Sequence, residues 1–182
     1  KSIKRFGVRR HYAMPPWSDM VEVHLGKNCE AYVTPVGANR VGVALLSSQG
    51  SAKYDVLLAQ FPQLAACVAD APADSSDAGA GPLHQEAHQM VTGNLALVGD
   101  ASGFGDPLTG EGISLAFGSA LNLVDAIEAE DLSQYARAQH ALMRRYQGSV
   151  AFALFFTQRP RLRRMVVRLF RRFPRLFDWV LR

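Results

Sequence analysis

The chain has 182 residues, 48% hydrophobic and 20% charged, which excludes a disordered polyelectrolyte and fits a globular protein of one domain or parts of two. No apolar run is long enough to span a bilayer, the nearest being Ser149 to Thr157. The net charge of +4 is uneven: Arg159 to Arg182 holds nine arginines against one acid, Asp178, so that segment carries +8 and the remainder −4.

Lys1 to Leu46 reads as antiparallel sheet. Phe6 to Met14 makes one strand, Pro15-Pro16 with Ser18-Asp19 a turn. Val21 to Leu25 then alternates with period two, and Gly26-Lys27-Asn28 signals a hairpin. Ala31 to Val36 and Arg40 to Leu46 follow, joined by Gly37-Ala38-Asn39. Such a meander buries one face. On these residues alone Tyr32 is a half-buried strand residue and Pro35 a strand end.

Ser51 to Phe61 has a helical pattern with Ser51 as cap. Pro62 interrupts or restarts it, and Gln63 to Ala71 extends it. Ala71 to Gly81 is a solvent loop by composition, and Leu83 to Val91 a strand or connector. His84 and His88 lie four apart with no third ligand in reach, so no metal is expected. His11, His24 and His140 are isolated polar positions. Cys29 and Cys67 have neither metal nor redox spacing and read as free thiols of a reducing, cytoplasmic compartment.

Leu95 to Val98 is wholly apolar, the pattern of a strand covered on both faces. Gly99-Asp100 ends it, and Gly103, Gly105, Pro107, Gly110 and Gly112 punctuate the turn that follows. From Ile113 to Ile127 the sequence is apolar nearly all round, which predicts a buried helix. The first amides of that helix lack internal partners and its dipole favours negative charge. The turn therefore suits an anion or an electron-rich ring edge. Asp100, at the strand's carboxyl end, is placed to accept a hydrogen bond from a ligand hydroxyl. The alternative is a tight connection in which Asp100 or Thr109 merely caps.

Gly99-Asp100-Ala101-Ser102-Gly103, followed by Asp106-Pro107-Leu108-Thr109-Gly110-Glu111-Gly112-Ile113, resembles the second FAD-binding motif of FAD-dependent oxidoreductases. The relevant branch holds flavoprotein monooxygenases and geranylgeranyl-reductase-like enzymes. The resemblance implies that Asp100, after Gly99, binds the ribityl chain of FAD and that Pro107 lies beside the isoalloxazine ring. It also implies that the amides of Gly110, Glu111, Gly112 and Ile113 face the flavin's pyrimidine edge. Tyr32-Val33-Thr34-Pro35-Val36-Gly37 is similar to a segment that lines the substrate cavity, which implies pocket roles for Tyr32 and Pro35. The geranylgeranyl-reductase version carries a Trp where this chain has Val33 and Thr34. Hydroxylation with NAD(P)H as donor, on a hydrophobic or aromatic small molecule, therefore stands ahead of isoprenoid reduction.

The resemblance implies an α/β (α+β) fragment of the FAD/NAD(P)-binding flavoprotein fold. Residues 1–60 would be the C-terminal half of a substrate-binding antiparallel sheet, 61–130 the last part of the FAD-binding domain, and 131–182 C-terminal helices. The family's first FAD motif, a G-x-G-x-x-G turn, does not occur in the sequence. The expectation is a C-terminal portion of a longer enzyme, inactive in isolation. An inactive remnant or a membrane-surface module is the alternative.

Ser133 to Gln158 is a long helix pattern broken at Arg159-Pro160. Leu162, Met165, Val166, Leu169, Phe170 and Phe173 then recur at helical spacing between arginines. Pro174 breaks that helix, and Leu176, Trp179 and Val180 suggest a last turn. The apolar stripe serves either to dock on the flavin domain or to lie on an anionic membrane surface through Arg159 to Arg182. Nucleic acid is not expected, because it would leave the stripe idle.

Overall fold

The computed structural model describes residues 4–50, 52–107, 110–157, 159–173 and 175. Alternating, β-branched sequence forms the strands β1 (Phe6–Tyr12), β2 (Glu22–Leu25), β3 (Cys29–Pro35) and β4 (Val41–Ser47). They pair antiparallel, as the period predicts. Register places Tyr32 opposite both Val23 and Ala44. Period two then divides the sheet. Cys29, Ala31, Val33, Val41, Val43 and Leu45 point into the core, beneath α1 (Tyr54–Leu58) and α2 (Pro62–Val68). Each large apolar side chain fully buried there, such as Leu45, Leu57 and Leu64, is worth about 1.5–3 kcal/mol. Glu30, Tyr32 and Thr34 point to the opposite face, the one that meets the rest of the chain.

The predicted single helix over 51–61 is shorter. Ser51 lies outside the described residues, and Lys53 occupies the N-cap without a side-chain capping bond. Pro62 starts α2 at its first position, where its missing N–H costs nothing.

Residues 71–81, expected as a solvent loop, are exposed over most of their length but also join the sheet at two places. Ala73 bridges Tyr12, and β5 (Ala78–Ala80) pairs with β1 as the edge strand of the order β2-β3-β4-β1-β5. Small residues carry no hydrophobic pattern to announce a strand. Polar anchors fix this one: Arg10 to Asp77 at 2.7 and 3.0 Å, Arg40 to Asp74 at 2.7 Å, and the His11 amide to Ser75 Oγ at 3.0 Å.

Two further expectations are corrected. The strand over 95–98 is only β8 (Leu95–Ala96), pairing with β7 (Val91–Thr92). Leu95 is 61% exposed, because among the described residues β7 is its single strand neighbour. β6 (Gln85–Glu86) pairs instead with β9 (Gly103–Phe104), which follows a 3-10 turn over Gly99–Ser102.

The helix expected to be buried, α3 (Gly112–Glu128), hides only its small face. Ser119 and Ala126 are buried, and Gly118 lets α4 (Leu132–Thr157) approach so closely that an added Cβ would lie 3.2 Å from Leu142. The larger side chains Ile113, Phe117, Leu121, Val124 and Ile127 stay between 50% and 75% exposed. Mean apolarity marked the whole helix, but no described element covers its other side.

α5 (Pro160–Arg172) follows the predicted break at Arg159 and meets α4. The expected break at Pro174 and the last turn at Leu176, Trp179 and Val180 lie outside the described residues, as do Lys1 and the motif positions Leu108 and Thr109.

Candidate functional site

The 3-10 turn, β9 and the start of α3 border, with α4, a cavity of about 250 Å³. Gly99 makes the turn possible with a φ of +60°, a conformation that only glycine adopts freely. A set of hydroxyls holds the turn. The Gly99 amide donates to Ser119 Oγ at 3.3 Å, and Ser102 Oγ donates to the Gly99 carbonyl at 2.7 Å. The Tyr135 hydroxyl donates to the Leu97 carbonyl and lies 2.9 Å from Ser119 Oγ. The backbone around Asp100 is thus fixed by α3 and α4 before any ligand arrives.

Gly99, Asp100, Pro107, Gly110, Gly112 and Ile113 all line this one cavity. Glu111 stands at the N-cap of α3, outside the lining, and makes no side-chain capping bond. The amide donors of the first turn of α3 have no acceptor within their helix. The side walls are apolar, from Phe104, Leu115, Met143 and Tyr146.

Arg5 anchors the loop that carries Pro107. Arg5 is 6% exposed, and its Nη1 donates to both carboxylate oxygens of Asp106 at 3.0 Å. Its Nη2 donates to Glu30 on β3. The Tyr146 hydroxyl donates to the Asp106 carbonyl from the α4 side. The loop is therefore held between the sheet and α4 by a buried cation shared between two carboxylates.

Tyr32 lies on the same sheet face as Glu30. Burial, and then the Glu30 charge, raise its phenol above the ordinary range, so it stays protonated. Pro35 is three residues on, and an odd spacing turns it to the other face. There it lines a small separate recess with Pro16, Trp17 and Val41. The two residues do not share a pocket, and neither lines the cavity at the turn.

Gln139 was not singled out by the sequence. It is 1% exposed and lines the cavity. Its Nε2 donates to Ser102 Oγ at 3.1 Å, whereas its Oε1 is buried with no partner among the described residues. The available signal was its place, four residues from Tyr135 and seven from Tyr146, on the buried stripe of α4.

This arrangement fits a flavin. Among the described residues, a Cβ at Gly110 or Gly112 would meet nothing within 4 Å, so the backbone at the start of α3 leaves room there for a ligand. A flavin would offer hydroxyl donors to the exposed Asp100 carboxylate and an electron-rich ring edge to the helix amides.

No family model matches the sequence, and no match was found among the curated proteins. Solved structures do match in fold. The flavin-dependent halogenase CmlS aligns with a TM-score of 0.64 at 19% identity, over 80% of this chain and 30% of that one. The myxobacterial chondrochloren halogenase CndH aligns with a TM-score of 0.69 at 16% identity, over 85% and 41%. A variant of halogenase PltM in complex with FAD aligns with a TM-score of 0.64 at 16% identity, over 76% and 35%. The chain thus has the fold of part of these enzymes and spans less than half the length of each.

Proposed function

We propose that this chain forms the flavin-facing part of an FAD-dependent oxidoreductase, an NAD(P)H-linked monooxygenase that acts on a hydrophobic or aromatic small molecule. The observation that carries the reading is convergence. Asp100, Pro107 and the backbone of Gly110, Gly112 and Ile113 meet in one cavity. Bound FAD would supply the redox chemistry. The chain's residues bind and orient it. Asp100 accepts from a ribityl hydroxyl, the amides at the start of α3 donate to the ring's pyrimidine edge, and Pro107 and Phe104 exclude water from the ring. The substrate class and the donor assignment follow the monooxygenases that the motif resembles.

Riboflavin carries the ring and ribityl chain without the pyrophosphate, so titrating it against the chain tests these residues alone. Quenching of flavin fluorescence, competed by FAD and not by ADP, is the expected result. Asp100→Ala should weaken binding about 10- to 150-fold, because a charge-assisted hydrogen bond is lost. Unchanged affinity in Asp100→Ala, or competition by ADP, overturns the assignment.

A further inference from the structure

We propose that α5 lies on an anionic lipid surface, with an exposed apolar line in the headgroup–acyl boundary and arginines among the headgroups. Between Leu132 and Phe177 the sequence has eleven arginines and no Asp or Glu. In α5 the two kinds of residue segregate at helical spacing. Leu162, Met165, Val166, Leu169 and Phe170 project to one side with Phe173 beyond them, while Arg161, Arg164, Arg168, Arg171 and Arg172 project to the other, where Val167, 57% exposed, lies among them.

The apolar side is wider than α4 covers. Leu162, Val166 and Phe170 are half-buried, whereas Met165 is 58%, Leu169 41% and Phe173 56% exposed. These three recur every fourth residue and form a line along the helix. Arg161, Arg168 and Arg172, all exposed, run along one border of it, where their stems can lie on apolar surface and their guanidinium groups reach outward. At the start of the helix the Arg159 guanidinium sits 3.7 Å from the centroid of Phe155 and donates to its carbonyl at 2.9 Å. This fastens the turn out of α4.

Charge and apolarity together select the occupant. A second copy would bring like charges together. A nucleic acid would satisfy the arginines and leave Met165, Leu169 and Phe173 in water. An anionic bilayer surface satisfies both. The exposed stripe of α3 is different in kind: that helix has no Lys or Arg and ends in Asp125 and Glu128, so an anionic surface repels it. No helix among the described residues is long and apolar enough to cross a membrane, which leaves α5 lying along the interface.

The test is cosedimentation of the full chain with phosphatidylcholine vesicles containing one-third phosphatidylglycerol, against pure phosphatidylcholine. Binding to the anionic vesicles, weakened by salt and much weaker on the neutral ones, is expected. Each arginine near the surface contributes about fivefold, so the combined variant Arg161→Gln, Arg168→Gln and Arg172→Gln should lose about a hundredfold in partitioning. The same three positions changed to Lys should retain it. Met165→Ser with Leu169→Ser should lower binding, and Phe117→Ser with Leu121→Ser in α3 should not. Equal binding to neutral vesicles, an unaffected glutamine variant, or loss only in the α3 variant overturns the proposal. Capture of an RNA oligonucleotide that the Met165 and Leu169 changes leave untouched would reassign the helix to nucleic acid.

Discussion

Gln139 shows how much one side chain can reveal when its accounting is incomplete. A buried acceptor without a partner costs about 1–3 kcal/mol, and Gln139 Oε1 is such an atom, on a side chain that lines the cavity. Its amide nitrogen is used, through Ser102, so the side chain cannot turn over without orphaning the other end. Gln139→Leu removes the orphan and a single hydrogen bond worth about 1 kcal/mol. The unliganded chain should therefore keep its stability or gain up to about 2 kcal/mol, while riboflavin affinity falls about fivefold or more. Thermal unfolding and a flavin titration on one preparation give both signs. A loss of stability with unchanged affinity would make Gln139 a structural residue.

The loop that carries Pro107 depends on residues from distant parts of the chain. Arg5, just before β1, holds both Asp106 and Glu30, and the side chains of all three are largely buried. Replacing the shared cation leaves two carboxylates facing each other, and breaking such a pair costs about 3–5 kcal/mol. Arg5→Met should lower the unfolding free energy by that amount and speed amide exchange over 103–107. Arg5→Lys should recover only part, because an ammonium cannot reproduce the fork. Denaturant titration with hydrogen exchange reads both effects. The sequence made β1 to β4 legible because their residues alternate between core and outer face. It also placed the turn from Gly99 and the breaks at Pro62 and Pro160, because glycine and proline act locally. It did not show β5, whose Ala-Gly-Ala has no pattern and is held by Arg10, His11 and Arg40. The Arg5 cluster was equally hidden, because nothing local marks residues 25 and 101 positions apart as partners. For Tyr32 and Pro35 the motif spacing was legible, but strand periodicity separates them.

At the scale of the molecule, α3 leaves a large apolar stripe in the open. Ile113, Phe117, Leu121, Val124 and Ile127 are each at least half exposed, and they run the length of α3 from the rim of the cavity. Apolar patches of this extent bind partners or drive association. The isolated chain should therefore bind a hydrophobic dye and self-associate as its concentration rises. Phe117→Ser with Leu121→Ser should reduce both, at under about 0.5 kcal/mol of stability for each change, since neither side chain is buried here. Sedimentation and dye fluorescence before and after the substitutions test the point. If the double variant loses several kcal/mol in the chain alone, the stripe is covered in solution and α3 has a partner within this polypeptide. If stability holds while association falls, α3 presents an open docking face. The cavity beside it would then be closed only when that face is occupied, and flavin affinity should rise with whatever covers it.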